Sequence, residues 1–201
     1  IHTTLYFEAE GNLWQTDGTT SGTIAEPAAA ALALGGVREL FANGTDLYFE
    51  AAITATDQLF KLDTVTGSIV QVSANANEDH NPSDFTLLNS ILYYAGDSDS
   101  DSSKYLYSTD GLTSTQLDTT IKDIDDIVVF NNKLYFEGDE DTVTGNELFV
   151  YDPATASIDS VNKVQVSLYP NPNNGNFSLT NNNARFSSYT IYDLSGRAIR
   201  S

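Results

Sequence analysis

The sequence predicts an all-β protein, a partial β-propeller of four-stranded antiparallel blades followed by a smaller β domain. Three observations predict it. A short pattern returns every forty-odd residues: Leu5-Tyr6-Phe7-Glu8, Leu47-Tyr48-Phe49-Glu50, Leu92-Tyr93-Tyr94 and Leu134-Tyr135-Phe136-Glu137, spaced by 42, 45 and 42 residues. Each copy is followed by a second apolar segment that runs into an aspartate: Leu13-Trp14-Gln15-Thr16-Asp17, Leu59-Phe60-Lys61-Leu62-Asp63, Leu106-Tyr107-Ser108-Thr109-Asp110 and Leu148-Phe149-Val150-Tyr151-Asp152. The charge then changes sign, since residues 1–161 hold 27 acids and 5 bases while residues 162–201 hold 1 acid and 4 bases, which puts a domain boundary near Val161. Self-similarity at this period signals stacked supersecondary units, and four strands per unit signal a propeller blade.

Within a unit the elements follow in order. Strand a is the apolar run Leu40-Phe41-Ala42, Phe85-Thr86-Leu87-Leu88 or Ile127-Val128-Val129-Phe130. A turn follows at Asn43-Gly44, Asn89-Ser90 or Asn131-Asn132, residues that tolerate the positive φ of a tight hairpin. Strand b is the LYF segment, whose alternating side chains face opposite sides of a sheet. Strand c is the segment ending in Asp. Candidates for strand d are Thr23 to Glu26, Ser68 to Val72, Ser114 to Leu117 and Ser157 to Val161. The first unit lacks a strand a, so residues 1–161 make about 3.5 blades, an arc of the rings of roughly 4 to 8 blades that propellers form. Pro27 to Leu34, with proline at its start and Gly35-Gly36 after it, reads as one or two helical turns between blades.

Leu13-Trp14-Gln15-Thr16-Asp17-Gly18-Thr19-Thr20-Ser21-Gly22-Thr23 resembles the ELWxTDGTxxGT repeats of secreted bacterial propeller-like proteins. The later copies keep the hydrophobic pair and the Asp.

Residues 162–201 read as strand, turn, strand, turn. Tyr169-Pro170-Asn171-Pro172 ends a strand at a rigid turn, because two prolines fix φ and remove two backbone donors. Gly175 then releases the chain into Phe177-Ser178-Leu179-Thr180, and Ile191-Tyr192-Asp193-Leu194-Ser195-Gly196-Arg197 follows. These blocks resemble, in order, spacing and identity, the type A C-terminal sorting domain of the Por, or type IX, secretion system. The resemblance implies a truncated Ig-like β-sandwich, since the family's domain is longer and this chain stops at Ser201. It implies cargo of a Gram-negative bacterium, secreted or held at the outer-membrane surface, with the type IX machinery as the partner of residues 162–201. The family's pattern falls here on Tyr169, Pro170, Asn171, Pro172, Gly175, Phe177, Ile191, Tyr192, Asp193, Gly196 and Arg197. With Ile1 first and no basic-then-apolar leader, the chain reads as an internal fragment of a longer precursor.

Composition narrows the chemistry. No cysteine means no disulfide, thiolate nucleophile or Cys-ligated zinc. The longest apolar stretch, Ala28 to Leu34, is far short of a membrane span, so no membrane insertion is expected. A net charge of −19 repels nucleic acid and anionic lipid. On a propeller the b-to-c and d-to-a connections share one face, and most acids fall there, so that face is expected to be negative. Asp97-Ser98-Asp99-Ser100-Asp101 has the alternating carboxylates of a calcium loop, without the central Gly or twelfth-position Glu of an EF-hand, and Asp139 with Asp141 stands in the equivalent loop one blade later. A solvated acidic loop is the alternative at both. His80, beside Glu78 and Asp79, reads as an exposed loop histidine, with metal ligation as the alternative.

No serine constellation accompanies either histidine, and no sialidase box is present, so the segment is not expected to be an enzyme. Pairs of acids carry no information among 28 of them. The repeated aromatics invite carbohydrate stacking, but their strand spacing favours core packing, and Trp14 is expected between blades. Three functions stay open: a non-catalytic surface binding or adhesion module for a glycan or protein, a structural repeat region, and the accessory propeller of a larger secreted hydrolase.

Overall fold

The computed structural model describes residues 4–140, 145–154, 162–163, 166–169, 178–181, 190–192 and 198–200. The chain divides into two compact units, Ile1–Val161 and Asn162–Ser201. The first sheet contains β1 (Leu5–Ala9), β2 (Asn12–Thr16) and β3 (Ile24–Ala25). The second contains β4 (Gly35–Asn43), β5 (Asp46–Ala52), β6 (Asp57–Asp63) and β7 (Ser68–Gln71). The third contains β8 (Ser83–Leu88), β9 (Ile91–Asp97), β10 (Lys104–Thr109) and β11 (Ser114–Gln116). The fourth contains β12 (Lys122–Phe130), β13 (Lys133–Asp139) and β14 (Glu147–Tyr151), and β15 (Asn162–Lys163) opens the second unit. In each sheet the strands lie in chain order. The expected strand at Ser157 to Val161 lies outside the described residues. Further along, β16 (Val166–Tyr169) pairs with β17 (Ser178–Asn181), and β18 (Ile191–Tyr192) with β19 (Ala198–Arg200).

One cross-strand pair recurs at the same register in the first four sheets. Phe7 stands opposite Trp14, Phe49 opposite Phe60, Tyr94 opposite Tyr107 and Phe136 opposite Phe149. Their rings stack at centroid distances of 6.4, 6.0, 5.6 and 6.1 Å. Such pairs join the b and c strands through side chains as well as through the ladder. Strand alternation sends neighbouring residues to the other face, so each sheet is apolar on both sides. Three cores result. Leu13, Tyr6 and Ala29 pack with Leu47, Phe49, Phe60 and Leu62, joining sheets one and two. Tyr48 and Leu59 pack with Leu92, Tyr94, Tyr105 and Tyr107, joining two and three. Tyr93, Ala95 and Leu106 pack with Leu134, Phe136, Phe149 and Tyr151, joining three and four.

Strand a is longer than its apolar run suggested. β4 and β12 each carry two register shifts and β8 carries one. The bent backbone puts Gly36 and Glu39, Asn81 and Asp84, and Asp123 and Asp126 at positive φ, eleven and eight residues before the LYF leucine in each case. These bulges turn the N-terminal half of strand a over the end of strand b, where room is scarce: a Cβ on Gly138 would lie 2.7 Å from Ile121 Cγ2. The corresponding residues, Ala9, Ala51 and Gly96, are small as well.

The hairpin turns follow their residues. Asn89-Ser90 and Asn131-Asn132 both take positive φ, as a type I′ turn requires, while β4 and β5 turn at Gly44-Thr45 with only Gly44 at positive φ. The expected helical stretch is α1 (Pro27–Ala31), with proline in its first turn and Glu26 accepting the Ala29 N–H.

Replacing Phe49 or Phe136 by Ala in chemical denaturation is expected to cost about 3–5 kcal/mol, the range for a buried phenylalanine. Phe7→Ala, at a half-buried position, loses less. Glu39→Gly leaves stability level or higher because it removes left-handed strain, whereas Glu39→Val loses about 1–2 kcal/mol.

Candidate functional site

The aspartate that ends each c segment makes a turn. Asp17 Oδ1 accepts from the Thr19 N–H and hydroxyl, Asp63 Oδ1 from the Val65 and Thr66 N–H, Asp110 Oδ1 from the Leu112 and Thr113 N–H, and Asp152 Oδ1 from the Ala154 N–H. An Asx turn of this kind supplies an acceptor where the strand ladder ends. Those donors hold the Asp63 and Asp110 carboxyls below the usual range, and the Thr19 hydroxyl and N–H do the same for Asp17.

The carboxylates of the Asp97–Asp101 segment go to three separate places. Asp97 Oδ2 accepts from Asn81 Nδ2 at 2.7 Å, and burial pushes its carboxyl up. Asp99 Oδ1 accepts from the Asn77 N–H at 2.7 Å and the Glu78 N–H at 3.1 Å, which pull it down. Asp101 Oδ2 accepts from Lys122 Nζ and the Tyr105 hydroxyl, both at 2.8 Å, and is pushed down to about 2. Asp139 ends β13 opposite Lys122, and Asp141 lies outside the described residues.

Among the described residues, three carboxylates that do converge are Asp84, Asp125 and Asp126, whose ligand oxygens lie within 4.8 Å of one another. Asp84 and Asp126 occupy the same bulge position in β8 and β12, which brings residues far apart in sequence together. Oxygens so placed suit a hard cation. Two of the three are exposed, and an acid-rich surface gathers such groups without one.

His80 is not the exposed loop residue that its neighbours suggested; it is 1% exposed. Its Nδ1 lies 2.8 Å from the Asp97 carbonyl and its Nε2 3.0 Å from the Tyr94 hydroxyl, which in turn bonds Ser114 Oγ. The Tyr107 ring stands edge-on at 4.8 Å, and a Cβ on Gly96 would fall 2.8 Å from the imidazole. The third sheet therefore replaces a phenyl pair by two tyrosines, and His80 satisfies the buried hydroxyl that this introduces. Burial pushes its pKa down to about 4. With both nitrogens occupied inside the core, it is neither a metal ligand nor a general base.

A charged group that the sequence did not suggest joins the first strands of the second sheet. Arg38 Nη2 lies 2.5 Å from Glu50 Oε1 and 2.6 Å from Asp57 Oδ2. Glu50 is buried, and desolvation raises its carboxyl although Arg38 pulls the other way. The tyrosines weighed for carbohydrate stacking serve the core: Tyr48 and Tyr93 are buried, and Tyr6 and Tyr135 half-buried. Trp14 stacks on Phe7, on the face of the first sheet turned away from the second.

Because the folded His80 titrates well below the ordinary histidine value of 6.5, protons bind the unfolded chain first as pH falls. Its contribution makes the fold weaken between about pH 6.5 and pH 4 and level off below. Relative to His80→Gln, the wild-type unfolding free energy is expected to fall by about 3 kcal/mol across that window. Urea titrations at several pH values measure the difference.

Tyr169 closes β16 opposite Ser178 at the start of β17. Ile191 and Tyr192 form β18, opposite Arg200 and Ala198. Pro170, Asn171, Pro172, Gly175, Phe177, Asp193, Gly196 and Arg197 lie outside the described residues. No helix among the described residues is long and apolar enough to cross a membrane. No curated protein matches the chain. Residues 167–201 match the family described as secretion system C-terminal sorting domain. The chain thus carries a type IX sorting tail, which indicates a secreted or surface-exported cargo recognised by that machinery.

Proposed function

We propose that the chain is an exported, non-catalytic binding protein: an arc of β-propeller that engages a glycan or protein at the cell surface, delivered by the tail at residues 162–201. The sorting-domain match at residues 167–201 carries the export half of this reading. The order of four meandering sheets, joined face to face by apolar cores, supports the propeller half. The state of the candidate chemical groups supports binding over catalysis. His80 is enclosed, and the aspartates of the c-to-d turns and of the Asp97–Asp101 segment are engaged by internal donors. Acidic loops on a rigid scaffold make a recognition surface rather than an acid–base pair.

Expression in a bacterium with an active type IX system tests the reading. The protein with residues 162–201 is expected in the medium or on the surface, and the protein lacking them in the periplasm. Equal export of both would contradict it. The exported protein is expected to bind members of a glycan or protein array without changing them, and turnover of a bound substrate would replace binding by catalysis.

A further inference from the structure

The connection from the second sheet to the third carries residues 75–81, which lie against both sheets as a strap. Asp79 Oδ1 accepts the Asp57 N–H at 2.8 Å, and the Asp57 carbonyl accepts the His80 N–H at 2.7 Å, so the strap is tied to the start of β6. Asp99 Oδ1 accepts the Asn77 and Glu78 N–H, and Asn81 Nδ2 donates to Asp97 Oδ2, which ties it to the end of β9 and the turn beyond. Ala76 to Asp79 are exposed, and His80 is the one buried residue between Asn75 and Asn81. A segment held by surface hydrogen bonds and a single buried side chain opens more readily than the strands beneath it.

The repeat shows what else fits the slot of His80. Gly96 and Gly138 each stand four residues after the leucine that opens their b strand, and a Cβ on the first would meet the His80 ring as one on the second would meet Ile121. Ile121 and His80 themselves stand thirteen and twelve residues before those leucines. Ahead of the second sheet, Leu34 stands thirteen residues before Leu47 and shares a core with Ala51, the residue in the place of the glycines. The second and fourth sheets are thus plugged here by an apolar side chain. Only the third uses an ionisable one.

We propose that residues 75–81 are an acid-released strap: protonation drives His80 out of its slot over Gly96, the strap lifts, and the stacked Tyr94–Tyr107 pair is uncovered. The ring meets the Asp97 carbonyl, the Tyr94 hydroxyl and the edge of Tyr107, all neutral, so an imidazolium there loses its hydration and gains no counter-charge. The closed strap holds His80 at about 4, against 6.5 in the open one, so release grows as pH falls below 6.5 and levels off below 4. The other ionisable groups around it are Asp57 of β6, Glu78 and Asp79 of the strap, Tyr94 and Asp97 of β9, Asp99 after it, and Tyr107 of β10. Burial raises both tyrosines, which stay neutral in acid. Asp97, raised by burial and under the opposed influence of Lys104 on one side and Asp79 and Asp123 on the other, takes its proton more readily in the closed state and so opposes release. Asp99, held low by the Asn77 N–H, adds to release only below the ordinary carboxylate range. Strap release is independent of the sorting tail and of any bound partner.

Amide hydrogen exchange on the whole chain, corrected for its intrinsic pH dependence, reads the opening at the Asn77, Glu78 and His80 amides. They are expected to be less protected than the amides of β9 and β10 and insensitive to low urea, as local opening requires. Their protection is expected to fall about twentyfold from pH 7 to pH 5. His80→Ile with Tyr94→Phe copies the plug and ring of the fourth sheet, Ile121 and Phe136, and keeps Asp97 and Asp99. That variant is expected to retain the fold by circular dichroism and to show less than a threefold fall; His80→Gln, which keeps a hydrogen-bonding side chain, gives the same comparison should the double variant not fold. Strap amides that exchange only together with β9 and β10, at the same urea dependence, overturn the proposal. A wild type without the fall, or a variant without His80 that keeps it, also overturns it.

Discussion

Stacking of an aromatic ring on the ring opposite it, between the second and third strands of a unit, is the interaction on which the rest of this fold depends. The ring pair fixes the register of the b and c strands, and register fixes which face every other side chain occupies. With Phe49 and Phe60 on one face of the second sheet, Tyr48 and Leu59 are sent to the other, and the sheet is apolar on both sides. A sheet of that kind buries both of its faces only between two neighbours. Cores lie on either side of the second and third sheets, and the first and fourth each share one of these cores, with Leu13 and Leu47 in one and Leu106 and Leu134 in the other.

The acids that give the chain its charge are not a uniform coat. One set caps the ends of c strands as turn acceptors, and another ties loops to their neighbours, Asp99 to Asn77 in the connection before the third sheet and Asp101 to Lys122 of the next sheet. In these positions a carboxylate accepts N–H or ammonium hydrogens that a neutral residue would bind less strongly. The third sheet shows how far the pattern bends. Two tyrosines replace the usual ring pair, and a buried histidine and a serine take up the hydroxyl of Tyr94.

The sheets were legible because the b and c segments alternate cleanly and the turns carry Asn, Gly or Asp where positive φ or an Asx acceptor is needed. The first halves of the a strands were not, since each carries backbone at positive φ that breaks the two-residue period. Glu39, Asp84 and Asp126 look like loop acids until they are counted back from the LYF leucine, where they share one position. The same count would have paired Asp84 with Asp126. His80 misled because its neighbours are polar while its own side chain turns inward to a tyrosine; only the small Gly96 opposite hinted at a ring above it. The tail was legible from motif identity, which depends on a recognising partner rather than on packing.

Amide hydrogen exchange resolved by strand tests the central claim that each sheet is held by the sheets on both of its faces. The account predicts the slowest exchange in β5, β6, β9 and β10, whose two faces are covered, and faster exchange in β1, β2, β13 and β14, which each belong to a sheet that shares one of the three cores. Equal protection across all four sheets, or greatest protection in the first and fourth, would contradict it.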